Sequence, residues 1–152
     1  MAKESLQEFF RAKKAKAEPG ETDWGAVKTA WVRAIGNLYR KIVDEYLAEP
    51  QKSGLVKVSY CDKVMAENFL GEYIVRELVL QVGDERAVFS PKGRNIVGAA
   101  GRVDLRGDMG EVTLVLQPED RWCIVASRTP TLKLIPLNEE SLLSALKRVM
   151  RQ

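Results

Sequence analysis

The chain contains no histidine among its 152 residues. That absence excludes a Ser-His-Asp triad, a Cys-His dyad, HExxH zinc chemistry and an imidazole pH switch. Only two cysteines occur, Cys61 and Cys123, far apart and with no CxxC spacing. A structural zinc site is thereby excluded, and the alternating apolar segments around each cysteine predict two buried or half-buried reduced thiols. Long apolar runs are missing too. Uncharged stretches such as Val112–Pro118 fall far short of the about 20 apolar residues that a membrane span needs. The first residues, Met1-Ala2-Lys3-Glu4-Ser5, are charged and have no apolar core, so they do not read as a secretory signal. Charge of one sign is also scarce. Lys plus Arg is 24 against 21 Asp plus Glu, which excludes a histone-like polycation and an acidic tail protein. These features together predict a cytoplasmic chain with no membrane partner and no cofactor.

What is present is a normal globular mixture, 45% hydrophobic and 30% charged. Its length fits one domain, residues 1–152. The hydrophobic period changes along it. Residues 1–50 read as helix, residues 54–137 as a β-meander, and residues 138–151 as a C-terminal helix.

Ser5-Leu6-Gln7-Glu8 fits a capping box, followed by a short apolar face of Leu6, Phe9 and Phe10. Lys13, Lys14 and Lys16 then complement the helix dipole, and Glu18-Pro19-Gly20 stops the helix. Thr22 or Asp23 caps a second helix, which the pattern carries to Ala48, just before Pro50. Trp24, Val27, Trp31, Ala34, Ile35, Leu38, Ile42, Val43, Tyr46 and Leu47 form its apolar stripe. A helix of that length would measure about 39 Å at 1.5 Å per residue. Either Gly36 marks a bend or one end projects toward a partner.

In the second portion, Val56, Val58 and Tyr60 alternate with polar residues, and Ile74, Leu78, Leu80 and Val82 share a face interrupted by Arg76. Turns are predicted at Gly83-Asp84, Pro91-Lys92-Gly93, Gly107-Asp108-Met109-Gly110 and Pro118-Glu119-Asp120. Asn95–Leu105 reads as a strand with Gly98-Ala99-Ala100-Gly101 in its middle. Short turns connect antiparallel neighbours, and no crossover helix fits between the strands. Asn138 caps the last helix, whose stripe is Leu142, Leu143, Leu146, Val149 and Met150. The fold class is therefore α+β: an antiparallel meander of about six to seven strands packed by N-terminal and C-terminal helices. The sheet either stays open or curls into a partial barrel, with Gly98–Gly101 as the bend.

The candidate chemistry is sparse. Lys92, Arg94, Arg102 and Arg106 form a basic strip, and Lys13, Lys14 and Lys16 a second cluster; together they offer a backbone contact to nucleic acid. No aromatic residue lies between 92 and 106 to stack a base. The glycines around residue 98 match neither a P-loop nor a dinucleotide fingerprint. Arg106-Gly107-Asp108 spells an adhesive tripeptide, but glycine and aspartate are also what a tight turn needs. Asp104, Asp108 and Glu111 surround one hairpin and supply the carboxylates for a metal-dependent hydrolase, although no Glu-x-Lys pattern accompanies them.

The favoured reading is a non-catalytic protein–protein interaction module, an accessory, inhibitor or immunity-type subunit. Its partner is another protein or a second copy, met near Trp31, Leu38, Tyr39 and Tyr46 on the long helix. Nucleic-acid binding through the basic strip is the alternative, and metal-dependent hydrolysis the third.

Overall fold

The computed structural model describes residues 5–17, 23–94 and 100–152; the side chains of residues 12 and 14–17 lie outside that description. Helix α1 spans Leu6–Ala17. It opens on the expected capping box: the Glu8 amide donates to Ser5 Oγ at 3.1 Å, and the Ser5 amide to Glu8 Oε2 at 3.4 Å.

Helix α2 spans Trp24–Arg40, with the Asp23 carboxylate accepting the Ala26 amide at 3.0 Å as its N-cap. The α-helix then widens into a π-helical turn, Lys41–Tyr46, and restarts as α3, Ala48–Lys52. The break falls at Lys41, not at Gly36, and the helical run does not stop before Pro50. Pro50 sits in the first turn of α3, where its missing N–H would have had no partner in any case. In the wide turn the Leu47 amide reaches back five residues to the Ile42 carbonyl (2.9 Å). The Gln51 side-chain amide covers the Val43 carbonyl at 2.8 Å. One extra residue per turn swings Leu47 back onto the stripe that Trp31, Ile35, Leu38 and Ile42 began.

Among the described residues seven strands form one open antiparallel sheet in the order β1 to β7. They are β1 Lys57–Glu67, β2 Gly71–Val82, β3 Glu85–Gly93, β4 Arg102–Gly107, β5 Gly110–Gln117, β6 Arg121–Ser127 and β7 Lys133–Pro136. The turns at Gly83-Asp84, Asp108-Met109 and Pro118–Asp120 lie where the sequence puts them. Two expectations need correction. Pro91-Lys92-Gly93 is not a turn but the end of β3. Pro91 pairs with Val103 and Gly93 with Arg102, so Lys92 is the extra residue of a bulge that carries the chain past the proline. The fourth strand begins only at Arg102; residues 95–99 of the segment expected to bend the sheet lie outside the described residues.

Helix α4, Glu139–Val149, closes the fold, with Asn138 and Ser141 exchanging capping bonds at 2.8 Å. Its end docks on the β4–β5 hairpin, where the Met109 amide donates to the Val149 carbonyl at 2.8 Å. Leu142, Ala145 and Val149 are buried, whereas Leu143 is exposed.

One sheet face, carrying Leu78, Leu80, Phe89, Leu105, Leu114 and Ile124, packs against the α2 stripe. Trp31 is the centre of this contact. Its ring lies directly on Gly101, where an added Cβ would fall 2.2 Å from a ring carbon. Trp31 Nε1 donates to the Tyr73 hydroxyl at 3.0 Å, and Tyr73 donates to Glu67. The other oxygen of Glu67 accepts the Arg94 amide at 2.8 Å.

Beta2 pairs with β3 only from Leu78 to Val82, while its pairing with β1 continues to Gly71. The β1–β2 hairpin thus extends beyond the sheet as an arm, Cys61–Glu77. On the arm the buried side changes: Tyr73 and Val75 are covered, and Ile74 is exposed. Ile74, Leu78, Leu80 and Val82 do share one side of β2, but that side is not buried along its whole length. Only Leu78 and Leu80 are buried; Val82 ends at the hairpin turn and is exposed. Where the strands part, the Tyr39 hydroxyl donates to the Arg76 carbonyl at 2.6 Å and lies 3.3 Å from that of Phe89.

Two outcomes follow. Gly101→Ala forces the Trp31 ring off its seat, with an expected loss of about 1–3 kcal/mol in urea unfolding. Burial, aided by the Glu77 carboxylate, raises the Tyr39 phenol above its ordinary value. Burial and the bond to Glu67 do the same for Tyr73. Above about pH 10 the unfolded phenols lose protons that the folded ones keep, so stability falls as pH rises, by up to about 1.4 kcal/mol per pH unit per tyrosine. Burial lowers Lys63, whose effect has the opposite sign and is complete by about pH 10.4. Unfolding measured above that pH should show the fall, with Tyr39→Phe removing about half of the slope.

Candidate interaction surface

Between helix α2 and the β1–β2 strands lies a cleft of about 490 Å³. Val32, Gly36 and Arg40 line it from the helix, Tyr60 from β1 just before the arm, and Asp62, Ile74 and Arg76 from the arm. The helical side is one residue round from the buried stripe. Gly36 leaves its position without a side chain, and a Cβ there would meet nothing within 4 Å. On the arm, Asp62 pairs across the ladder with Arg76, and the Arg76 guanidinium sits 5.4 Å over the Tyr60 ring. Four charges, Arg40, Asp44, Asp62 and Arg76, leave the cleft with no net charge.

Apolar side chains continue outward from this cleft. Val64 is 66% exposed, Ile74 63% and Tyr60 42%. Val64 and Ile74 are direct cross-strand partners, so they form a pair on one face of the arm. The outer edge of β1 has no strand beside it among the described residues.

The residues singled out on the helix are placed differently. Trp31, Leu38 and Tyr39 are buried in the core, and only Tyr46 is half-buried. Tyr39 still lines the cleft beside Val32, Gly36 and Arg40, whereas Trp31 and Leu38 do not. The stripe gave the right helix face for the core; its flank at i+1 carries the exposed apolar residue.

The basic strip is broken up by pairing. Arg102 grips the buried Asp104 with two bonds, at 2.8 and 3.0 Å. Arg106 lies 3.7 Å from Glu77. Lys92 is exposed, Arg94 half-buried and Lys13 exposed, while the side chains of Lys14 and Lys16 lie outside the described residues. Asp108 is 3.1 Å from Arg151, so both ends of the Arg106-Gly107-Asp108 tripeptide have intramolecular partners. Among the described residues no group of three or more His, Cys, Asp or Glu could hold a metal ion. Asp104 is committed to Arg102. Both cysteines are free; Cys123 is half-buried, but Cys61 is exposed, contrary to expectation. It lies on the edge strand, on the side opposite Tyr60, where nothing described covers it. No described helix is long and apolar enough to cross a membrane.

One polar cluster escaped the sequence reading. Lys63 Nζ donates to Ser90 Oγ at 3.0 Å and to the Pro91 carbonyl at 2.6 Å. A serine beside a lysine of lowered pKa resembles an activated nucleophile. Ser90, however, is 0% exposed, so no acyl group can reach it. The cluster is a clamp: Lys63 bridges from the arm to β3 beyond the point where β2 and β3 part.

Comparisons of the chain with family models, with curated proteins and with solved structures give no match.

Lys63→Met would leave Ser90 and the Pro91 carbonyl without their donor. The expected cost is about 1–3 kcal/mol by chemical denaturation, with Ser90→Ala costing less because it removes the stranded group itself.

Proposed function

We propose that the chain is a non-catalytic protein–protein interaction module, an accessory, inhibitor or immunity-type subunit. Its binding surface is the free edge of β1 together with the cleft under α2. The observation that carries this reading is the exposed apolar set Tyr60, Val64 and Ile74 beside Val32, placed along an unpaired strand edge. A bare edge offers main-chain hydrogen bonds, and alternating side chains beside it offer specificity; together these are the requirements for adding an extended strand. The neutral charge of the cleft fits a polypeptide better than a polyanion. Two free thiols, one of them exposed, are what a reducing compartment preserves, in keeping with a cytoplasmic setting.

The test is affinity capture from the native host's lysate with wild-type chain and with Val64→Lys/Ile74→Glu. Both positions are exposed, so the fold should tolerate the changes. A specific partner retained by wild type and weakened at least tenfold by the variant is expected. A partner held equally by both would move the binding surface elsewhere on the chain.

A further inference from the structure

We infer that the partner taken up by the β1 edge is a second copy of this chain, paired antiparallel about a two-fold axis that passes beside Cys61. This rests on the edge-binding reading above and names its occupant.

The first ground is the contrast between the two edges of the sheet. Beta7 is four residues long and ends in Pro136, which is how edge strands are kept from pairing. Beta1 is eleven residues long, has neither proline nor glycine, and runs in unbroken register with β2. Its two lysines are poor guards. Lys57 stands at the strand's start, and Lys63 is turned inward to Ser90 and Pro91.

The second ground is charge. A two-fold axis perpendicular to the sheet keeps like faces together, so residues that face each other differ by an even number. Centring on Asp62 sets two carboxylates opposite each other, and centring on Lys63 sets two ammonium groups opposite. Centring on Tyr60 places Lys57 against Lys63. Centring on Cys61 gives the longest overlap, Lys57 through Met65, with no like charges directly opposed. Val58 then faces Val64 of the second copy, covering the most exposed valine of the edge with a β-branched partner. Asp62 faces the Tyr60 hydroxyl of the second copy while keeping Arg76 on its other side. Cys61, exposed and free, faces its own counterpart. Directly opposed residues bring their Cβ atoms to about 4.5–5.5 Å, close to the separation a disulfide spans.

The register is tested on full-length Cys123→Ser, in which Cys61 is the remaining thiol. Mass is measured by sedimentation at tens of micromolar, and cross-linking by diamide, which takes two electrons and two protons from a thiol pair. The expected result is a dimer that cross-links through Cys61. Adding Val64→Lys should raise the dissociation constant at least tenfold and slow cross-linking to the collisional rate, with thermal melting confirming that the variant is folded. A monomer at all concentrations, or a dimer that neither cross-links nor responds to Val64→Lys, overturns the inference. A monomer that still captures a lysate protein through Val64 and Ile74 removes self-pairing and leaves the interaction reading standing. A monomer that captures nothing removes both.

Discussion

The Trp31 ring resting on Gly101 sets the distance between helix and sheet. Its indole N–H then sets where the arm goes. Trp31 is the largest fully buried side chain, and its one polar atom must find an acceptor or cost about 1–3 kcal/mol. Tyr73 supplies that acceptor from the arm, and Tyr73 in turn needs Glu67, which holds the Arg94 amide at the end of β3. Helix, arm and sheet end are thus joined by one hydrogen-bonded chain in a setting where each unsatisfied link is expensive. Trp122, 6.1 Å away, shows the alternative: its Nε1 is buried with no protein partner.

The departure of the arm from the sheet has consequences on both of its sides. Leaving β3 strands the carbonyls of Arg76 and Phe89, and Tyr39 reaches in to meet them. On the other side Lys63 crosses to Ser90 and the Pro91 carbonyl. Lys63 would otherwise project from the edge strand and discourage pairing. Recruiting it as an internal clamp removes one of the means by which edges are protected. The cleft results from the parting of β2 from β3 at Leu78; the bare edge of β1 is one of the two ends of the open meander.

Local features were legible in the sequence because their hydrogen bonds are local. The Ser5–Glu8 and Asn138 caps and the Gly83 and Asp120 turns need only neighbouring residues, and they stand where the pattern puts them. The order of the strands followed from turn length alone. What failed depends on distant groups. The π-turn at Lys41 relies on Gln51, and the reversal of buried side along β2 relies on Trp31 and Tyr39. The sequence did carry a trace of that reversal: Arg76 interrupts an apolar face, and Asp62 sits opposite it. Read together, they mark where the face leaves the core. On α2, aromatic size drew attention to Trp31 and Tyr39, but large aromatics favour the interior. The cleft was better signalled by Val32, Gly36 and Arg40, spaced four apart just off the stripe.

An open meander must end in two edges, and this chain treats them unequally. Shortening β7 and ending it in proline costs little, because α4 follows at once through Leu137 and Asn138. Beta1 cannot be shortened in the same way. Its far half carries Lys63, Met65 and Glu67, and β2's far half carries Tyr73, so trimming the arm would unseat Trp31. Edge length is therefore fixed by the core, and its exposure follows unless something covers it. Charge could have protected it, yet Asp62 stands opposite Arg76 in the ladder and Lys63 is turned inward. The long side chain best suited to repel a neighbouring strand is thereby engaged within the molecule. A strand kept long by the packing behind it, and left unguarded by the same contacts, is a surface on which pairing with another chain meets little resistance.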